Sequence, residues 1–150
     1  MSPHRLMRGA AAGLAATGPM SAMMIAAHRR LPRRERYPLP PAQITRNALR
    51  KTGIEPSEIG PDTGRRIVWT GHFLYGAAAG SAYGVLARHP ERILSGTAFG
   101  LAVWLGSYLG WLPLTGLLTP ATRAPARRNA LMIAAHVVWG ACLAFAFRRC

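Results

Sequence analysis

The sequence predicts an all-α integral membrane protein, a four-helix bundle made of two parallel two-helix repeats within a single domain covering 1–150. Three observations carry that prediction: four long runs are apolar, the charges fall between the runs, and two short residue frames recur in alternate runs. Half of the residues are apolar, yet 19 basic side chains stand against 5 acidic ones, a net charge of +14. A charge of that sign suits nucleic acid or an anionic membrane surface. The interleaving of aromatic and basic residues that stacks on and neutralises nucleic acid is missing. The expected partner is therefore the lipid bilayer with its anionic head groups, and not nucleic acid.

The apolar runs cover 7–27, 67–87, 93–118 and 129–147. At ~1.5 Å per helical residue each spans roughly 28–39 Å, against about 30 Å of hydrocarbon. The first run carries one charge, Arg8, near its start. The small-x-small pattern around Ile25, Ala26 and Ala27 makes a poor cleavage site, so the run reads as a retained span.

A basic segment, 28–66, follows with ten basic and four acidic residues. Its first part, RRLPRRERYPLPP, is broken by proline and should run extended along the surface. Next, AQITRNALRK places Ile44, Ala48 and Leu49 on one side and Arg46, Arg50 and Lys51 elsewhere, until Gly53 stops the pattern. That is a short amphipathic helix lying in the membrane interface. Each basic group near an anionic surface is worth on the order of 1 kcal/mol. Arg46, Arg50, Lys51, Arg65 and Arg66 are the residues expected to contact lipid head groups; the plainer alternative is an anchoring charge with no specific ligand.

In the second run His72, Gly76, Gly80 and Gly84 follow at steps of four and share one helix face. Such a small-residue face lets a neighbouring helix approach closely. The fourth run repeats it more weakly as His136, Gly140 and Ala144. Pro19 and Pro113 should bend or loosen the first and third helices, since each removes a backbone donor.

The recurring frames are G-x-A-x-G-L-A, beginning at Gly9 and Gly96, and H-x-x-aromatic-G, in HFLYG (72–76) and HVVWG (136–140). Odd runs thus resemble each other, as do even runs. Two spans return the chain to its starting side, so the halves would be parallel repeats. Strict symmetry would put His72 and His136 at similar depth. The small faces could also admit a second copy, a homodimer, or another membrane protein.

Thirteen of the basic residues lie in 28–66 and the 119–128 connection; the termini and the 88–92 connection hold six. That bias predicts a cytoplasmic basic segment with both termini outside.

No catalytic signature is present: there is no G-x-S-x-G, phosphate loop, C-x-x-C or H-E-x-x-H. Cys142 and Cys150 make no metal pair or disulfide framework. The sequence therefore points away from an enzyme and from a metal site, toward a membrane scaffold or interaction protein. A small transporter or channel acting as a dimer is the alternative, with His72 and His136 near its pathway. All five acids (Glu35, Glu55, Glu58, Asp62, Glu91) fall outside the runs, which counts against cation transport. A haem-binding redox protein with His72 and His136 as axial ligands is the third reading. Ordinary helix packing explains the same glycines without any cofactor.

The stretches HFLYGAAAGSAYGVLA, AFGLAVWLGSYLGWLPLTG followed by PATR, and HVVWGA resemble the YagU-like family of small bacterial inner-membrane proteins. The likeness covers the last three runs well and the first loosely; LPPAQITRNAL looks like a subgroup feature. The resemblance implies a multi-span protein of the bacterial inner membrane and transfers no reaction and no catalytic residue.

Overall fold

A computed structural model describes residues 3–150, and all their regular structure is helical. Helix α1 is Pro3–His28, α2 is Pro40–Lys51, α3 is Pro61–Leu86 and α4 is Ile93–Leu105. A π-helical turn, Gly106–Trp111, joins α4 to the short α5, Leu112–Leu114, and α6 is Ala126–Arg149. Single 3-10 turns at Arg33–Glu35, Pro56–Glu58 and Ala121–Arg123 punctuate the connections.

Local chemistry sets most of these boundaries. Proline opens α2 and α3 and caps the start of α6, positions where its missing N–H costs nothing. Gly53 takes φ +82° after α2, where its N–H bonds the Arg50 carbonyl and the Ile54 N–H bonds that of Leu49, both at 3.1 Å. This double closure is a Schellman turn, which favours glycine at the left-handed position.

The third apolar run does not continue as one rod to 118. It breaks at Gly106–Trp111, where Gly110 leaves helical dihedrals (φ −108°, ψ −112°). Pro113 supplies the reason, since its ring excludes the carbonyl four residues earlier, that of Leu109. The preceding turn widens where two glycines bend most easily. Pro19, by contrast, sits within an unbroken α1.

Helix α1 packs along α3 on one side and α6 on the other; α6 also packs along α4. Glycine sets how close they come. A Cβ on Gly9 would overlap the Gly80 carbonyl, and one on Gly13 would overlap that of Gly76. Between α4 and α6 the same holds for Gly96 against Gly140 and Gly100 against the His136 carbonyl. Gly84 meets the Arg5 carbonyl in the same way.

These contacts correct one expectation about the repeat. Gly13 lies against Gly76 and Gly80, whereas its counterpart Gly100 lies against His136 and Gly140. Measured against its partner helix, His72 is therefore one turn nearer the loop end than His136, and the two H-x-x-aromatic-G frames are not in equivalent register. Backbone approach decides the register, and α3 offers a longer run of glycines to choose from.

Three helical stretches, Pro3–His28, Ile93–Leu114 and Ala126–Arg149, are long and apolar enough to cross a membrane. The 26-residue α3 matches them in length but not in apolarity, because glycine, tyrosine and His72 dilute it. Large apolar side chains point outward on all four long helices; Met7, Leu74, Leu94 and Phe145 are exposed examples. Water would penalise such a surface and a lipid environment does not.

The two ends of the molecule are tied differently. At the end holding the termini, an Arg5 amine donates to the Ala87 carbonyl (2.6 Å) and one of Arg8 to that of Phe147 (2.7 Å). At the opposite, loop end, Asn47 of α2 donates to the Leu117 carbonyl at 2.9 Å, fixing α2 to the connection after α5.

Candidate functional site: an apolar cleft beneath α2

Helices α3 and α4 are consecutive in the chain yet barely touch. Toward the terminal end Tyr83, fully buried, fills the space between them against Phe99 and Phe147, with ring centroids at 5.2 and 6.1 Å. Toward the loop end the space stays open as a cleft of ≈ 250 Å³. Thr17, Met20 and Met24 of α1 form its back. Val68, His72, Tyr75 and Ala79 of α3 make one wall, with Val103, Ser107, Tyr108 and Trp111 opposite. His136 and Trp139 of α6 complete the floor, and Pro40, Pro41, Ile44 and Thr45 of α2 form the roof.

Each wall has a local cause. The π-helical turn turns Ser107, Tyr108 and Trp111 toward the cleft, as helical irregularities at ligand sites often do. Tyr75 and Ser107 hydroxyls meet at 2.9 Å, and the Tyr75 and Trp111 rings lie 6.1 Å apart, bridging α3 to the kinked segment. The Trp139 indole N–H points at the Gly13 carbonyl, 3.4 Å away, which fixes the ring at the base of the cleft.

The two histidines are unlike. His136 is buried, and its Nδ1 lies 2.7 Å from the Met132 carbonyl, so Nδ1 carries the donated hydrogen. Its ring stands edge-on to Tyr108 at 5.7 Å. His72 lies among Trp69 and Phe73, and its Nε2 is buried without a hydrogen-bond partner.

Of the residues singled out from sequence, His72, His136 and Gly76 line this cleft. Gly80, Gly84 and Gly140 lie on helix contacts instead. Arg46, Arg50, Lys51, Arg65 and Arg66 are exposed at the loop end. Arg50 faces Glu55 at 3.9 Å, and Arg65 pairs with Asp62, both in solvent where such pairs contribute little. Ile44, expected to face lipid, lines the cleft beneath α2.

Sequence reasoning passed over Tyr75 and Tyr108, and it read Ser107 as a helix-packing residue and Trp111 as an interfacial or helix-end aromatic, whereas all four line the cleft. For Ser107, Tyr108 and Trp111 the signal was present as G-S-Y-x-G-W, hydroxyls between two glycines inside an apolar run. It also passed over Arg128, counted as a loop cation. The side chain is 4% exposed, donates to the carbonyls of Glu35, Tyr37 and Pro38 at 2.8–3.0 Å, and lies 3.6 Å from the Tyr37 ring centre. This one side chain holds the extended loop that leads into α2.

Among the described residues no three His, Cys, Asp or Glu side chains converge on a metal position. A comparison with protein-family models, with curated protein sequences and with solved structures finds no match for the chain. The chemistry on offer is that of a small, mostly apolar chamber with a few hydroxyls and imidazole nitrogens at its edges.

Proposed function

We propose that this is a non-enzymatic, four-span protein of the bacterial inner membrane that takes an apolar chain into the cleft between α3 and α4. The observation that carries the reading is the roofed cleft itself. Helices that pack through glycine elsewhere are held apart here, and α2 covers the gap with Ile44 and two prolines. Apolar chambers with a few placed polar groups are the usual form of a site for an apolar ligand. In this reading α3 crosses the bilayer with the other three long helices. Close glycine contacts suit membrane helices, which gain little from hydrophobic expulsion. The loop end, with thirteen of the 19 basic residues, faces the cytoplasm and its anionic lipids, and both termini lie outside.

The kinship with the YagU-like family belongs to the same proposal and rests on the HFLYG, GSYLGWLPLTG and HVVWG stretches. Two of those three supply cleft walls and the third the floor. Conduction is the weaker reading, because Tyr83 and its ring neighbours make the cleft blind at the terminal end. Haem is weaker too. The cleft, at ≈ 250 Å³, falls below the usual ligand-pocket range of about 300–1,000 Å³, and a tetrapyrrole is a large ligand.

Native mass spectrometry from mild detergent tests the proposal. The wild type should retain an added mass matching a membrane lipid or other long-chain molecule, and Ala79→Phe, which fills the cleft, should fly bare while still folded. A bare mass for both, or an undiminished adduct on the filled variant, contradicts it.

A further inference from the structure

A second cavity of ≈ 270 Å³ lies at the loop end, next to the cleft but of different chemistry. Its lining includes Gln43 of α2, Thr119 and Arg123 of the 115–125 connection, and Arg128 and Asn129 at the start of α6. Pro40 and Tyr108 line both cavities and so stand between them.

Of the two cations that line the second cavity, Arg123 is the uncompensated one. Arg123 is exposed and makes no ion pair among the described residues. Arg128 is buried and bonded to three backbone carbonyls, whose dipoles orient the guanidinium without cancelling its charge. The buried Glu35 carboxylate, on the loop that Arg128 holds, offsets part of the Arg128 charge and lines neither cavity. Asn129 already donates to the Ala121 carbonyl at 2.7 Å, and Gln43 to that of Pro38 at 2.6 Å, so Arg123 is the free donor.

Building on the binding reading above, we propose that the ligand is a single-chain anionic phospholipid, a lysophospholipid, with its chain in the cleft and its phosphate-bearing head at Arg123. The apolar chamber and the cationic one lie side by side, with only Pro40 and Tyr108 on their common boundary, in the order that such an amphiphile requires. Size sets the chain count. The cleft, at ≈ 250 Å³, is smaller than the usual ligand pocket of about 300–1,000 Å³, a size that suits part of one chain. The remainder would leave sideways between α3 and α4. The second cavity is larger than a bare carboxylate needs and has room for a phosphate with its glycerol. A guanidinium engages phosphate through two parallel N–H donors.

The test is a displacement assay on the purified, delipidated full chain. It compares four amphiphiles of one chain length: lysophosphatidylglycerol, lysophosphatidylcholine, the free fatty acid, and diacyl phosphatidylglycerol. Lysophosphatidylglycerol should bind roughly tenfold or more tightly than the other three. Arg123→Gln and Arg123→Glu should remove that preference and leave the unfolding temperature as in the wild type; lysophosphatidylcholine, whose phosphate is offset by its own choline cation, should lose less affinity than lysophosphatidylglycerol. Equal affinity for the zwitterionic lipid, or no effect of either substitution, overturns the head-group assignment while the cleft reading stands. Equal affinity for the diacyl lipid overturns the single chain, and equal affinity for the fatty acid overturns the phosphate. If none of the four binds, the cleft reading falls and this inference with it.

Discussion

A hydrogen on Gly80 points at the backbone of α1, where a Cβ would overlap the Gly9 carbonyl and crowd the Gly13 Cα. Gly80→Leu should therefore lower stability by about 1–3 kcal/mol, the usual range for overpacking, read as a lower unfolding temperature in detergent. An unchanged temperature would mean that α1 and α3 do not meet there. The two histidines should part company. His136→Leu removes a bond of 2.7 Å to the Met132 carbonyl one turn back on α6, and should cost about 0.5–1.5 kcal/mol. His72→Leu deletes a buried nitrogen that has no partner, and should leave the delipidated protein as stable as before or more so. Equal losses for both would contradict the asymmetry. Arg128→Lys keeps the charge but cannot reproduce a planar fork on three carbonyls. The 29–39 loop should become more open to trypsin, with cleavage after Arg29–Arg36 faster than in the wild type. The importance of glycine on α3 was legible from four-residue spacing alone. The role of Arg128 was not, because its partners lie about ninety positions away in the chain.

At the scale of elements, the apolar runs overlap the long helices but do not fix their ends. Helix α3 begins at Pro61, before its run, α4 stops at Leu105, and α2 takes in Pro40 and Pro41, expected to be extended, while Gly53 marks its end. Three features needed the structure. The break in the third run falls at Gly110, before Pro113, because the steric effect of proline acts on the preceding turn. The glycine register differs by one turn between the two hairpins, since many glycines on one face permit several registers. The apolar side of α2 covers a protein cleft at Ile44, a choice between protein and lipid that an amphipathic pattern cannot make. The kink carries its own prediction. Pro113→Ala restores room for the Leu109 carbonyl, so the rod should straighten and the Tyr75–Ser107 contact should part. Spin labels at the exposed positions 74 and 109 should then report a changed separation by pulsed electron resonance. An identical distance distribution would show that the glycines alone make the break.

Over the whole molecule, glycine brings α1 against α3 and α4 against α6, aromatic rings close one end of the α3–α4 space, and α2 roofs the other. Apolar residues face outward around this arrangement, and the basic residues gather at the roofed end. The general class was legible in the sequence, since apolar length and charge placement express what a bilayer demands. The cleft was not, because it is lined by residues from several helical segments far apart in the chain, and none of them signals it alone. Its occupancy is the central claim, and Trp139 is placed to report it: the indole is 3% exposed and lines the cleft, away from the lipid-facing surface. The decisive measurement is the fluorescence of a variant in which Trp69, Trp104 and Trp111 are phenylalanine and Trp139 alone remains, titrated with a lysophospholipid brominated along its chain. Strong quenching of Trp139, abolished by adding Ala79→Phe, is the result expected of a chain in the cleft. A folded protein whose Trp139 emission is unaffected, or equally quenched in the filled variant, would contradict it.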